Sequence, residues 1–540
     1  MRTTAIDFGT TNCIVSFYES EDIKIAKVYG GQDQIPSIIA YPYEDLDNPE
    51  IGNRTLKGNT NYSYFEAFKM LLSEQPDSEL LKGHQYTDQF TPVKVAKDFI
   101  HLLLEKIKND YGEIGDLYVT IPHIWEKSTN LKSKEVLRSI FEDIGYPVKR
   151  FIPEPVAAAS FFCYKYRKVN NKPFGGHLLV VDYGGGTLDI SLCKMDDKGL
   201  TVLETTGSGE NSINSIGNGG IAYDKDICLK ILEDNGINPG TNIDNDPTFQ
   251  TLLYNFEDQK IKSTIPIRKA LGTYIAEPTL DRKITAFNLK FNNKELDVKP
   301  STFHYIFNSE KYARRLENEL DKIKRYISSN KIDSYHKNTF RIIPVGGFSS
   351  FPLVEFALLE CMNPGEKNVD DQRFARPNEI NANERGLAIS EGACAIGAGL
   401  IDLTPTIMWN IGVQFVEFTA TGIQNRDFTV FAKGDKYDKY KDRVKLVNGN
   451  ILSLPKEARD APFKLFVEFD DEKKAIPLFS NNEFFPEFTN DLLKYKMYSQ
   501  ILEDDFLIII EPLNSRGVSK SVKLNRLFEM LHSGTSFVES

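Results

Sequence analysis

"AIDFGTTNCIVSF", residues 5–17, poses the first question about this chain. Residues 5–8 and 14–17 read as two strands of a hairpin joined by a tight polar turn. An aspartate closing an apolar strand, followed by glycine and two threonines, has two readings. One is an ordinary hairpin, because Gly and Asn are common turn residues. The other is an anion site, because Gly lets the backbone approach a ligand and turn N–H groups can converge on phosphate.

The pattern returns later in the chain. IDFGTTNCIVS (6–16) aligns without a gap on VDYGGGTLDIS (181–191) at an offset of 175 residues, so Asp7 meets Asp182, Gly9 meets Gly184 and Ser16 meets Ser191. Two equivalent hairpins facing each other can close on a polyphosphate from both sides, each giving turn N–H groups and one carboxylate. Carboxylates beside phosphates repel them, so Asp7 and Asp182 imply a cation between them, most simply Mg2+ with retained waters. The common alternatives are missing. GxxxxGK[ST], HExxH and GxSxG do not occur, and the glycine-rich stretch 207–220 fits no dinucleotide fingerprint and reads as a mobile loop.

Bulk properties narrow the class. A chain of 540 residues is too long for one core and suggests roughly three or four structural units. Net charge is −11, which argues against nucleic-acid coating and against an anionic membrane surface as partners. The six cysteines are scattered without a CxxC pair, and no signal-peptide pattern opens the chain, so a cytoplasmic location is expected.

Strands and helices alternate over some 400 residues, which indicates an α/β architecture. Helices are expected over 94–110 and 130–145, and a strand, a turn and a helix in "RFIPEPVAAASFFCYKY". One long amphipathic helical region is expected over 300–330, and a strand ending in a glycine turn in "FRIIPVGGFSS". After about residue 403 the texture becomes strand and turn. Phe463, Leu465, Val467 and Phe469 alternate with Lys464, Phe466 and Glu468, as in a half-buried strand.

These residues together resemble the seventy-kilodalton heat-shock chaperones (DnaK-type), within the actin and sugar-kinase ATPase superfamily. "IDFGTTN" is similar to the family's first phosphate motif, "VVDYGGGTLDISL" to its second, and "VGGFSSFP" (345–352) to its adenosine turn. "YVTIPHIW" and "FIPEPVAAAS" resemble the segments bracketing the connecting region, and "LIDLTPTIMWNIG" (400–412) the linker and first strand of the peptide-binding domain. The resemblance implies a duplicated actin-like (ribonuclease H-like) ATPase domain over 1–399 with hairpins at 5–17 and 178–193. It further implies a linker at 400–403, a β-sandwich over 404–528 and a short tail at 529–540. With only "NRLFEMLHSGTSFVES" after the last hairpin, no helical lid is expected.

Residue roles follow from the same resemblance. Gly9, Thr10, Thr11 and Asn12, with Gly184, Gly185, Gly186 and Thr187, would meet the phosphates of ATP or ADP. Asp7, Asp182 and Glu154 would hold magnesium through water. Lys69 would reach the γ-phosphate and attacking water; without the resemblance it reads as a solvated helix lysine. Asp189 would orient that water or accept its proton. Glu257, Lys260, Gly346, Gly347 and Phe348 would line the adenosine end, and Gly219 and Gly220 would also bind the nucleotide.

Several positions depart from the family pattern. The arginine expected to stack on adenine is Ile261, and family serine and arginine positions in the adenosine turn are Phe348 and Ser350. Phe348 offers either a replacement stacking surface or a core side chain. Asn130 stands where the family carries an arginine tied to interdomain signalling. The expected function is a slow Mg2+-dependent ATPase whose nucleotide state controls binding of a polypeptide client. A J-domain co-chaperone or nucleotide exchange factor is the implied helper. A non-catalytic scaffold with a fixed protein partner, an actin-like filament former and a metabolite kinase are the alternatives.

Overall fold

The computed structural model describes residues 2–28, 31–57, 59–74, 77–83, 86–126, 131–197, 199–209, 211, 217–238, 243, 246–362, 373–375, 382–404, 406–407, 409–419, 422–442, 444–445, 452–455, 462–468, 473–480, 492–502, 505–512 and 520–523. The expected tail at 529–540, Asn130 and most of the final hairpin turn fall outside them. The chain divides into two compact units, one of residues 1–124 and 136–403, the other of 125–135 and 404–540.

The first unit is mixed α/β and carries the duplication in its backbone. Thr3–Phe8 pairs antiparallel with Asn12–Glu19, placing Asp7 opposite Ile14 and Phe8 opposite Cys13. Gly176–Tyr183 pairs antiparallel with Leu188–Asp196, placing Asp182 opposite Asp189 and Tyr183 opposite Leu188. Adding the sequence offset of 175 to either pair of the first hairpin gives a pair of the second, so the register is the same. The neighbours match too. Each leading strand takes a parallel partner on its other side, Asp116–Ile121 in the first sheet and Phe340–Val345 in the second. Such parallel strands are buried on both faces, which explains their near-continuous apolar sequences.

Two helices join the sheets. Glu154–Asn170 follows its strand Val148–Pro153 with no intervening turn, because Pro155 lies within its first turn, where a missing N–H costs nothing. Ala382–Gly397 packs on it so closely that a Cβ at Gly392 would lie 1.8 Å from the Ala157 carbonyl oxygen. Around them Ala157, Ala158, Ala159 and Cys394 form a core with Val180 and Ile343 of the second sheet and Ala5 and Ile152 of the first. Only small side chains allow this approach, so the alanine run is a packing requirement.

Other expectations are adjusted. The helix over 94–110 runs Pro92–Tyr111, and that over 130–145 runs Leu131–Asp143. The helical region at 300–330 is two helices, Pro300–Phe307 and Ala313–Ser329. Residues 400–403 fall within the first unit, where the Asp402 carbonyl accepts a 2.8 Å bond from the Leu200 N–H and Ile401 is buried. The described ends of the 207–220 loop are anchored: Asn211 donates to the Met70 carbonyl and accepts from the Gly217 N–H.

Among the described residues the second unit holds two antiparallel sheets. One orders Gly422–Phe431, Asn410–Thr419, Pro462–Glu468 and Lys473–Ser480; the other is built on Leu492–Leu502, Asp505–Pro512 and Lys520–Lys523. Phe431 of the first sheet meets Phe506 of the second with ring centroids 5.3 Å apart. Phe466, assigned to the outer face by alternation, is buried with Leu465 and Val467. Gly412 makes room for its ring, and Lys473 covers it at 4.0 Å. Among the described residues no helix is long and apolar enough to cross a membrane.

Candidate functional site

The two hairpin turns come face to face. A Cβ at Gly185 would lie 2.1 Å from Thr11 Oγ1, and one at Gly186 3.0 Å from Thr10 Oγ1. Glycine is required at Gly9 for a local reason, since a Cβ there would lie 2.2 Å from the Asn12 carbonyl oxygen. Between and beyond the turns lies a cavity of about 680 Å³, large enough for a nucleotide-sized ligand. Most of the expected site residues line it; Asp189 and Gly219 do not.

The second turn is held from behind. The carbonyls of Gly184, Gly185 and Gly186 accept from the N–H groups of Gly220, Ile221 and Asn218 at 3.0, 3.0 and 2.9 Å. Gly219 packs against these carbonyls, where a Cβ would stand 2.5 Å from the Gly184 oxygen. In a planar peptide the N–H points opposite the C=O, so carbonyls drawn back leave the turn's N–H groups directed away from the 218–221 segment.

Charged side chains gather at the floor. Lys69 Nζ donates to Glu154 Oε1 at 2.6 Å with the two side chains 2% and 8% exposed. Lys69 is therefore not the solvated helix lysine of the simple reading. It sits in the short 3-10 helix Phe68–Leu71, entered through Ala67 at φ 55°, a left-handed conformation that is costly for a residue with a side chain. Asp7 accepts from Thr120 Oγ1 at 2.9 Å, while Asp182 Oδ2 is buried without a hydrogen-bond partner among the described residues. Burial, with Glu154 nearby, pushes the Asp7 carboxyl up to about 7; burial, with Glu154, Asp189 and Asp7 nearby, pushes Asp182 well above its usual range. Three carboxylates thus share one ammonium. An orphaned carboxylate oxygen in an overly negative pocket fits a hydrated divalent cation. No cluster of three or more ligating side chains placed to hold a metal ion occurs among the described residues.

Asp189 is fully buried behind the second turn and accepts the Ile124 N–H at 3.1 Å. Gly346, at φ 81°, approaches so closely that a Cβ would lie 2.4 Å from Asp182 Oδ1. Phe348 is 4% exposed, with ring centroids 4.7 Å from Tyr183 and 4.9 Å from Tyr223. Of its two readings, the structure shows the core side chain. Ile261 lines the cavity and is 62% exposed.

Two ion pairs bound the remaining wall. Arg54 bridges Glu257 at 2.5 Å and Asn12 Oδ1 at 3.0 Å, while Lys260 pairs with Asp224 at 2.5 Å. Burial pushes Glu257 up, but Arg54 beside it leaves the carboxyl below its ordinary value. Asp224 is raised by burial to about 6 despite Lys260. Sequence reading missed Arg54, Thr120 and Ser37, whose hydroxyl donates to the Gly9 carbonyl at 2.6 Å. None lies in the repeated hairpin sequence, and the contacts that bring them to the site are with residues distant in the chain.

A duplicated hairpin unit closing on one cleft defines the class: a mixed α/β protein in which two hairpins of the same register face a single pocket. The model for "Hsp70 protein" matches residues 3–296, and the chain belongs to the Hsp70 family. It is 24% identical over 431 residues to "Chaperone protein DnaK" of Mycoplasma mobile, covering 79% of this chain and 64% of that one. The protein of the same description from Mycoplasmopsis pulmonis is 24% identical over 433 residues, with the same coverage. This chain thus spans 64% of the length of the relatives it matches.

Proposed function

We propose that the cavity of the first unit binds Mg2+-ATP and hydrolyses it slowly, and that nucleotide state governs polypeptide binding by the second unit. The observation that carries this reading is the pair of hairpins in one register, with turns in contact and a buried lysine–carboxylate pair beneath them. The turns at 9–12 and 184–187 would cradle the phosphates through backbone N–H groups and threonine hydroxyls. Asp7, Asp182 and Glu154 would hold hydrated Mg2+, whose bound form neutralises phosphate charge. Lys69 would stabilise the charge on the transferred group, and Glu154 would orient the attacking water. Asp189, off the cavity wall, would act by fixing the second turn and the 123–124 segment. Glu257 and Lys260 would frame the sugar and base.

Residues 404–528 are proposed as a β-sandwich whose sheets pack through Phe431 and Phe506, with polypeptide as its ligand. The printed description of the DnaK relatives as chaperones supports that choice. A cytoplasmic setting and a J-domain or exchange-factor partner belong to the same reading.

A second reading, a nucleotide-dependent scaffold without turnover, is favoured by one observation. Phe348 is locked in an aromatic cluster and Ile261 is aliphatic, so neither side chain is available to stack on a base as an aromatic or cation. Turnover of wild type against Lys69→Ala decides between the readings. The ATPase reading expects measurable hydrolysis that falls at least 100-fold in the variant, roughly 2.7 kcal/mol. A wild type with no turnover overturns it.

A further inference from the structure

One part of the cavity wall is formed by Ile261, Thr264, Phe348, Ser350 and Phe351. The carboxylates along this wall are engaged: Glu257 by Arg54 and Asp224 by Lys260. Arg385, from the helix Ala382–Gly397, lines the same cavity. Among the described residues no group hydrogen-bonds its guanidinium. Its charged neighbours are Glu355 and Arg268, and those two already pair with each other at 2.5 Å. Among the described residues, two guanidinium groups therefore share one carboxylate. Burial, helped by Arg268, lowers the Arg385 pKa from its ordinary value against the pull of Glu355. The next residue, Gly386, packs on Gln34, another lining residue, so that a Cβ there would lie 2.6 Å from its Nε2.

We propose that Arg385 sets which base the cavity holds, and that it selects a purine presenting a carbonyl oxygen, so guanosine nucleotides bind at least as well as adenosine nucleotides. The inference rests on the nucleotide-site reading above. Its chemistry is that of hydrogen-bond type. A guanidinium offers donors only. Guanine presents O6 and N7 as two adjacent acceptors, whereas adenine presents N7 beside an amino donor. An adenine amino group needs an acceptor, and the side-chain carboxylates of this wall can offer it only lone pairs that Arg54 and Lys260 leave over. The hydroxyls of Thr264 and Ser350 serve either base. Stacking does not restore adenine preference, because Phe348 is buried and Ile261 has no π face or charge.

Calorimetric titration of the full chain with Mg2+-ADP and, separately, Mg2+-GDP tests this in wild type, Arg385→Gln and Arg385→Lys. Diphosphates avoid turnover. Wild type should bind GDP as tightly as ADP or more tightly. Arg385→Gln should weaken GDP roughly tenfold and ADP less than threefold, and Arg385→Lys, which keeps the charge and loses the planar fork, should not restore the ratio. ADP bound more than tenfold tighter than GDP by wild type overturns the proposal while leaving the nucleotide site standing. Equal weakening of both nucleotides in the variants overturns it too. Binding of neither nucleotide by wild type removes the nucleotide-site reading itself. Thermal unfolding without nucleotide identifies any variant that folds poorly; in that event the wild-type ratio alone decides.

Discussion

The two hairpins share a register and differ in what surrounds their aspartates. Asp7 lies opposite Ile14 and receives a hydrogen bond from Thr120. Asp182 lies opposite a second buried carboxylate, Asp189, and keeps Oδ2 without a partner among the described residues. Duplication has preserved the backbone while charge compensation has become one-sided. The first aspartate is satisfied in part by the protein, and the second is left for a ligand. The glycines differ in the same way. Gly9 is required by its own turn's backbone, whereas Gly185 is required by Thr11 of the opposite hairpin.

The largest expected effect exploits that last difference. Gly185→Ala should weaken Mg2+-ADP binding roughly 10- to 100-fold, the 1–3 kcal/mol of an overpacked contact. Gly185→Ala/Thr11→Ala should recover part of the loss, because the obstructing atom is a side-chain oxygen, and the remainder is the Thr11 hydroxyl's own share in holding phosphate. Gly9→Ala should have no such rescue. A double variant as poor as Gly185→Ala would mean the turns do not meet as described.

A half-buried carboxylate outside both hairpins, Glu391, calibrates the electrostatics. Burial, with Glu384 nearby, raises Glu391 from its ordinary 4.5 to about 7. Below pH 4.5 both folded and unfolded forms are protonated and the group contributes nothing. Between 4.5 and 7 the unfolded chain ionises first, so the folded state loses stability as pH rises, and above about 7 the penalty is constant. Glu391→Gln should therefore match wild type at low pH and exceed it by on the order of 2 kcal/mol above pH 7. Urea unfolding at several pH values measures this; a constant difference at all pH would contradict it.

The aspartates themselves should separate by a smaller margin. Without Mg2+ or nucleotide, Asp182→Asn should stabilise the protein by about 1–2 kcal/mol, from relief of an unpartnered buried carboxylate. Asp7→Asn should gain less, since Thr120 already serves Asp7. Equal gains in thermal unfolding would erase the asymmetry. The smallest effect is expected for Thr120→Val, a loss of about 1 kcal/mol from leaving Asp7 without its donor. It should bring the stability gain from neutralising Asp7 closer to that from neutralising Asp182.

Much of this was legible in the sequence because its signals were local. The gapless echo of IDFGTTNCIVS carries the hairpins, their turns and both aspartates. Strand-then-glycine patterns located the 340–347 segment, and apolar periodicity located the helices. What escaped depends on contacts between distant segments. Arg54 reaches Glu257 across 203 residues of sequence, and Thr120 reaches Asp7 across 113. The 300–330 region was read as one amphipathic run, and its break at residues 308–312 has no proline or glycine to announce it. Phe466 broke alternation because Gly412, on the neighbouring strand, leaves a space for its ring.

Hydrogen exchange at the amides of Thr10, Thr11, Gly185 and Gly186, with and without Mg2+-ATP, tests the two-sided clamp most directly. Both turns should slow together and to a similar degree on addition of the nucleotide. Protection of one turn alone, or of neither at saturating nucleotide, would contradict it.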